Sequence, residues 1–255
     1  MRCAIVSDLH SNLEAVETVL SEICKRRADQ IICLGDVVGY GANPSEVLKL
    51  VREQADEIIM GNHDRAVEDL ELRDSFIDWA REAIEWTAGI LNESEKKLIR
   101  EFPSIVIDRK VNATWTHGSA HEPGEFHYIF NSSDAELSFK SLETNFCFFG
   151  HTHIPSLFKH KRGQTPSGSD PVRDVRPLEG WYLPAGTYQL AKDERYLINP
   201  GSVGQPRDRN PKLSFAFFDS GELTLEIVRL DYDNRKAAEK IRKAGLPEYL
   251  AERLL

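Results

Sequence analysis

The first part of the chain alternates short apolar runs with segments whose apolar residues recur at helical spacing. Apolar runs at residues 3–6, 30–34 and 57–60 predict three strands. Between them, the apolar positions that follow Asn12 predict one helix, and residues 44–51 predict a second helix that opens with Pro44. Strand–helix–strand alternation of this length favours a mostly parallel sheet covered by helices.

The rest of the chain is predicted to be first helical and then rich in strands. Residues 64–102 have helical periodicity and an acidic composition, so we expect a small helical insertion over the sheet. Strands are then predicted at 105–107, 113–116, 146–149, 156–158, 196–198, 213–218 and 223–228. Their spacing and the closing hairpin favour antiparallel pairing in this half.

Two further segments complete the prediction. Residues 161–174 are rich in glycine, proline and serine, which predicts a surface loop. Residues 233–243 predict a charged terminal helix. Because no linker divides the chain, we expect a single domain over residues 1–255.

Composition and charge narrow the class of protein. The 255 residues are 41% hydrophobic and 29% charged, which is typical of a globular protein. With 41 acidic against 32 basic residues the net charge is −9, which disfavours a long nucleic-acid track. Without a targeting segment or an apolar run near the ~18 residues of a membrane span, we expect a cytoplasmic protein with no membrane partner. The four cysteines form no CxxC motif and are predicted to be free thiols.

Chemistry-bearing residues follow the predicted strands in five clusters, which contain five of the eight histidines. The clusters are Asp8-Leu9-His10, Gly35-Asp36, Gly61-Asn62-His63-Asp64, His117-Gly118 and Gly150-His151-Thr152-His153. Side chains leave a sheet at the ends of its strands, so these groups can converge at one edge.

Carboxylates and imidazoles in these clusters suit a metal site. Asp8 and His10 are two positions apart and can grip one cation, whereas Asp36 can bridge two cations. In the third cluster Asn62 offers a carbonyl oxygen, His63 a titratable group, and Asp64 an acceptor able to orient the imidazole. Taken singly, the three clusters also fit a helix cap at Asp8, turn amides around Asp36, and an Asn turn with an N-cap at Asp64.

The paired histidines His151 and His153 are the most specific single element. They stand at positions i and i+2 directly after an apolar run, and this arrangement favours a shared metal ion over surface histidines in a turn. His117 adds another imidazole at a strand end.

In this order the clusters match D-x-H, G-D, G-N-H-D/E, a lone H and G-H-x-H, and the sequence resembles the calcineurin-like metallophosphoesterase superfamily. The segment at 199–207 resembles that of its compact prokaryotic YfcE-type and MJ-type phosphodiesterase-like members. The resemblance implies an α/β fold, a four-layer α/β/β/α sandwich. It also implies two metal sites that share one carboxylate: Asp8, His10, Asp36 and His153 in the first, and Asp36, Asn62, His117 and His151 in the second.

The same resemblance implies an activity. It implies hydrolysis of a phosphodiester or phosphomonoester, nucleotides included, by a metal-bound hydroxide that attacks phosphorus. His63 would be a catalytic non-ligand group backed by Asp64. We expect two divalent transition-metal ions, Mn²⁺ in the first place, with Fe, Zn, Ni or Co as alternatives.

One departure from the superfamily pattern concerns the substrate. Serine/threonine phosphatases of the superfamily have an Asp-Arg pair after G-D-x-V, whereas this chain has Gly39-Tyr40, so a protein phosphatase is disfavoured. Tyr40, Arg207 and Arg209 are candidate substrate contacts, because a guanidinium fork suits phosphate; solvated loop charges are the alternative.

Two other functions compete with a small-molecule hydrolase. A non-catalytic scaffold, such as the retromer subunit built on this fold, would have lost part of the site, but all the motif histidines are intact here. A nuclease is disfavoured by the acidic balance and by the lack of a basic stripe.

Overall fold

The computed structural model describes residues 1–161 and 183–255. The strands in this part of the chain are β1 (Arg2–Val6), β2 (Gln30–Cys33), β3 (Glu57–Ile58), β4 (Ile105–Asp108), β5 (Ala113–Thr116), β6 (Phe146–Phe148), β7 (Ser156–Lys161), β8 (Gly186–Gln189), β9 (Glu194–Asn199), β10 (Leu213–Asp219) and β11 (Thr224–Leu230). The helices are α1 (Leu13–Arg26), α2 (Pro44–Gln54), α3 (Asn62–Ala66), α4 (Leu70–Asp74), α5 (Asp78–Ile90), α6 (Glu93–Arg100), α7 (Ser132–Ser141), α8 (Asn234–Lys243) and α9 (Glu248–Glu252).

The first sheet has the strand order β3-β2-β1-β10-β11-β8. β1, β2 and β3 run parallel, as the alternation with α1 and α2 predicts. β10 is antiparallel to β1, with Arg2 opposite Asp219, so the middle of this sheet joins the two ends of the sequence.

The second sheet has the order β4-β5-β6-β9-β7 and corrects one prediction. Only its edge strands β4 and β7 are antiparallel to their neighbours, whereas β5, β6 and β9 run parallel. The prediction of antiparallel pairing is confirmed for β4–β5, β7–β9 and β10–β11 and is wrong for β5, β6 and β9. The chain between β5 and β6 contains α7, a helix that no sequence pattern predicted, and such a long crossover permits parallel pairing. The hairpin β10–β11 joins the first sheet instead.

Alternating side chains of the strands separate the layers. Ala4 and Val6 face α1 and α2, where they pack in a cluster that includes Val16 and Val47. The intervening Ile5 packs on the other face against the second sheet in a cluster with Trp115, Phe148 and Ile198. On the far side, Phe139 of α7 covers the second sheet beside Phe158 and Leu197. These four layers confirm the α/β/β/α sandwich.

Helices α3–α6 occupy the predicted insertion at 64–102, and α8 occupies the predicted terminal helix. Cys3, Cys33 and Cys147 are buried free thiols, and Cys24 is an exposed one. The predicted surface loop at 161–174 lies, beyond residue 161, outside the described residues. Within the described ranges, the longest and most apolar helices still fall short of what crossing a membrane requires.

Candidate metal centre

All five motif clusters meet where the parallel strands end. Asp8 follows β1, Asp36 follows β2, Asn62 follows β3, His117 follows β5, and His151 and His153 follow β6. Main-chain bonds hold these ends together: Asp8 N donates to Gly35 O at 3.0 Å, and His10 N donates to Asp36 O at 2.9 Å. The second sheet is joined directly, because His151 N donates to Asp8 Oδ1 at 3.0 Å. The carboxyl edges of both sheets therefore form one site.

Unusual backbone angles concentrate at this edge. Five candidate ligands adopt positive φ, namely Asp8 (54°), His10 (48°), Asp36 (52°), His151 (67°) and His153 (61°). The left-handed region is unfavourable for residues with a Cβ, and such outliers cluster at functional sites. The surrounding sheets therefore hold the backbone of these five residues in a conformation that the local sequence does not favour.

The first group of potential ligands consists of Asp8, His10, Asp36 and His153, whose ligand atoms all lie within 4.8 Å of one another. The Nε2 atoms of His10 and His153 are 3.1 Å apart. His153 Nε2 lies 3.4 Å from Asp8 Oδ1, and His10 Nε2 lies 3.6 Å from Asp36 Oδ2. All four residues are buried.

The second group consists of Asp36, His117 and His151, with the same limit on their ligand atoms. His117 Nε2 lies 3.3 Å from Asp36 Oδ2 and 3.2 Å from Asn62 Oδ1, so Asn62 belongs to the same neighbourhood. Asp36 is the member that both groups share.

Main-chain carbonyls fix the orientation of three of these imidazoles through their Nδ1 atoms. The pairs are His10 with Val38 O at 3.2 Å, His117 with Leu34 O at 2.8 Å, and His153 with Gln205 O at 2.6 Å. A carbonyl at Nδ1 places the proton there, which leaves Nε2 as a free ligand atom.

Burial and mutual attraction set the ionisation of the site. Burial opposes the charge on Asp36, but His117 and His63 outweigh it, so the pKa of Asp36 lies well below its ordinary value. Burial alone would lower the pKa of His117, but the neighbouring groups, Asp36 above all, outweigh burial and raise this pKa to about 9. Burial, more than any neighbour, depresses the pKa of His10, His151 and His153 well below the ordinary value.

The donor set fits divalent cations. Neutral imidazoles and carboxylates are the ligands that first-row transition metals take. Burial raises the pKa of Asp8 to about 6, and its Oδ2 is buried with no hydrogen-bond partner among the described residues. A cation held by the first group would satisfy this oxygen.

Glycines keep the space beside the carboxylates open. A Cβ on Gly61 would overlap the main-chain N and the Oδ1 of Asp36. A Cβ on Gly150 would overlap Ser7 Oγ and would lie 2.8 Å from Asp8 Oδ2. Steric overlap therefore explains why glycine occupies these two motif positions.

His63 and Asp64 lie beside the ligand groups but outside them. The main-chain N of His63 donates to Asp36 Oδ1 at 2.8 Å, while its Nδ1 is buried without a partner in the described structure. Asp64 accepts from Val38 N at 3.0 Å and from Gly61 N at 3.1 Å. Among the described residues no hydrogen bond joins Asp64 to the ring of His63, and the contacts of Asp64 are with main-chain amides of two loops. Burial raises the pKa of Asp64 to about 7, with Asp36 adding to the effect.

The three candidate substrate contacts have different positions. Tyr40 is buried with its ring centroid 4.5 Å from that of His10, and Arg207 Nη2 donates to Tyr40 OH at 3.4 Å. Arg209 is exposed and does not line the cavity that opens beside the two ligand groups. Tyr40 and Arg207 are thus brought to the site, and Arg209 is not.

A cavity of about 560 Å³ opens beside the ligand groups at Asn62, His63 and His151. Most of the side chains that form its walls were not predicted from the sequence: Phe76, Trp79, Phe126, Tyr128, Tyr249 and Arg253. They come from α5 with its preceding turn, the loop after β5, and α9 with its C-terminal cap. None carries a motif, so only the folded chain reveals them.

Comparison with known proteins agrees with this arrangement of two sheets around a clustered set of carboxylates and histidines. The model of the calcineurin-like phosphoesterase superfamily domain matches residues 1–222. Protein MJ0912 of Methanocaldococcus jannaschii is 38% identical over 98% of this chain and 96% of its own length.

Solved structures show the same fold. A metallophosphoesterase from Sphaerobacter thermophilus superposes with a TM-score of 0.83 at 36% identity, over 100% of this chain and 98% of that one. The protein PH1004 of Pyrococcus horikoshii, at 19% identity, shares the fold with a TM-score of 0.75 over 99% and 97% of the two chains.

The fold and the site thus define a metal-binding phosphoesterase. The chain belongs to the calcineurin-like phosphoesterase superfamily.

Proposed function

We propose that this chain is a binuclear-metal hydrolase of small phosphodiesters or phosphomonoesters. The observation that carries the proposal is the position of Asp36: its Oδ2 lies 3.6 Å from His10 Nε2 and 3.3 Å from His117 Nε2. One carboxylate between two ligand groups is the arrangement that two-metal hydrolytic sites use.

The ligands divide between two ions. Asp8, His10, Asp36 and His153 would hold one ion, and Asp36, Asn62, His117 and His151 would hold the other. Two divalent cations bound there would supply positive charge for the phosphoryl oxygens and lower the pKa of water. Mn²⁺ is the ion with which we expect activity.

The chain's own residues would position the ester. His63 is buried beside both ligand groups, where a ring N–H can donate to a phosphoryl or leaving-group oxygen. Arg207 carries a permanent positive charge next to Tyr40 and suits a phosphate oxygen. Asp64 would act on the proposed ligands through the main chain, because it accepts from the amide of Val38, two residues after Asp36, and from the amide of Gly61, directly before Asn62.

Hydrolysis of chromogenic esters tests the proposal. We expect the Mn²⁺-loaded protein to hydrolyse bis(4-nitrophenyl) phosphate or 4-nitrophenyl phosphate, and a chelator to abolish the reaction. Asp36→Asn keeps the volume of the side chain but removes the shared charge, so it should lose both activity and metal binding. A metal-loaded protein that is inert toward both reporters would contradict the proposal.

A further inference from the structure

A row of aromatic rings leads from the proposed metal centre to the surface. The ring of Tyr40 lies 4.3 Å from that of His63, the ring of Trp79 lies 5.5 Å from Tyr40, and the ring of Tyr249 lies 5.1 Å from Trp79. Tyr128 also lines the cavity, with its ring 3.7 Å from that of His151. Tyr249 and Tyr128 are 47% and 44% exposed, so flat apolar surface faces the open cavity.

Two arginines lie beside this row, and neither has a carboxylate partner among the described residues. The guanidinium carbon of Arg207 lies 5.8 Å from the ring centre of Tyr40, and that of Arg253 lies 5.8 Å from Trp79 and 5.3 Å from Tyr249. Neither arginine forms an ion pair with any described residue, and Arg207 Nε is buried without a hydrogen-bond partner in the same part of the chain. Burial, together with the charge of Arg207, lowers the pKa of Arg253.

The two features together describe one kind of ligand. Aromatic side chains stack on nucleobases, and arginine binds phosphate oxygens and also stacks on rings. A volume of about 560 Å³ is within the range of small-molecule sites, and the net charge of −9 disfavours a long nucleic acid. Tyr249 and Arg253 also lie beyond residues 1–222, so the shared motifs of the superfamily do not account for them.

We propose that this cavity binds the organic part of the substrate and that the substrate is a nucleotide. Its base stacks on the rings of Trp79 and Tyr249, and its negative charge lies against Arg207 and Arg253. This inference rests on the proposed function, because it places the scissile phosphate at the metal centre.

Equilibrium binding to the chelator-treated protein tests the cavity without relying on catalysis. Adenosine 5′-monophosphate should bind at least about tenfold more tightly than glycerol 3-phosphate, as the stacking of one base implies. Tyr249→Leu should remove about tenfold of this affinity, whereas Tyr249→Phe, which keeps the ring, should retain it. Arg253→Gln should also weaken binding, and Arg235→Gln, the same change at an exposed position of α8, should not.

The outcomes separate this inference from the proposed function. Equal affinity for the two phosphates, or an unchanged affinity in Tyr249→Leu, overturns the nucleotide assignment even if the metal-loaded protein hydrolyses the reporters. Tighter binding of a single-stranded tetranucleotide than of the mononucleotide overturns it as well. Nucleotide binding by a protein that hydrolyses no ester would uphold the cavity and refute the hydrolase.

Discussion

At the scale of single residues, main-chain groups hold the side chains of the proposed ligands in fixed orientations. The main-chain carbonyls of Val38, Leu34 and Gln205 orient three imidazoles, and amides of the neighbouring loops hold the carboxylates. Such outer contacts set the ring orientation and the ligand basicity of metal sites. Substitutions beside the ligands should therefore lower metal affinity or activity by about 10–100-fold.

Removing the imidazole of His63 should separate catalysis from metal binding. Because His63 lies outside both ligand groups, His63→Ala should lower kcat by about 10²–10⁴-fold while the protein still binds close to two ions per chain. Metal analysis alongside kinetics measures both, with His121→Ala in the half-exposed loop as the matched control. A fall in bound metal would instead make His63 a ligand.

A methyl group at Gly61 should displace the shared carboxylate. Its Cβ would overlap the amide and Oδ1 of Asp36, and misplacement of a reacting group by about 1 Å can cost 10²-fold in rate. We expect Gly61→Ala to lose about that much activity. Gly89→Ala is the matched control, because a Cβ there meets nothing within 4 Å. In an exposed helix it should raise the free energy of unfolding by about 0.5–1 kcal/mol and leave the rate unchanged.

The residue types of the site could be predicted from the sequence, and some of their roles could not. Asp36 and the paired histidines His151 and His153 stand directly after apolar runs, where strand ends converge, so their meeting followed from the pattern. The contacts of Asp64 depend on how two loops lie against each other. Arg209 adjoins a buried segment but is itself exposed. This could not be predicted, because nothing in the local sequence sets the direction of its side chain.

At the scale of elements, two helix caps differ in the hydrogen bonds that they make outside their own helix. Asn92 is an exposed cap of α6 that accepts from Ser94 N and Glu95 N at 3.0 and 3.1 Å. Asn12 caps α1 by accepting from Ala15 N, and it also donates to Gly204 O at 2.8 Å in the segment that follows β9.

The two caps should therefore have different effects on stability. Asn92→Ala should lower the free energy of unfolding by about 1 kcal/mol. Asn12→Ala should cost about 1–3 kcal/mol more, because it also leaves the buried carbonyl of Gly204 without its donor. Urea unfolding measures both, and Asn92→Asp, which keeps the cap, is the control. Equal losses would mean that the bonds that Asn12 donates to Gly204 O and Tyr232 OH contribute nothing.

The order of elements along the chain predicted the first sheet and misled for the second. β1, β2 and β3 are joined by short segments that hold one helix each, so parallel pairing followed from the alternation. β5 and β6 are separated by residues 117–145, which contain α7, and spacing alone does not say which strands become neighbours. The aromatic cavity was missed for the same reason, since its walls come from three distant segments.

At the scale of the whole molecule, bound metal should stabilise the fold. Each ion that binds only the native state at about 100 times its Kd adds about 2.7 kcal/mol, which corresponds to roughly 5–10 °C in Tm per ion for a chain of this size. Calorimetry with Mn²⁺ and with a chelator measures the shift, and Asp36→Ala should abolish it. A shift that persists in this variant would place the ion elsewhere.

We also propose that residues 1–255 form one cooperative domain. β10 pairs with β1 over Arg2–Ile5, and α8 packs on α1, so the end of the sequence is joined to its beginning. Metal-free protein should therefore unfold in a single transition, with fluorescence and circular dichroism giving the same midpoint. Two separate midpoints would divide the chain into two domains.

The pairing of β1 with β10 also affects how the protein is made. One edge of β1 stays unpaired until β10 is synthesised, more than 200 residues later, since Arg2 pairs with Asp219. At about 5–20 residues per second this interval is roughly 10–40 s, during which an apolar strand edge stays open to wrong partners. The carbonyl of Gln205, which orients His153, arrives equally late. A nascent chain therefore cannot complete the metal centre before most of it has left the ribosome.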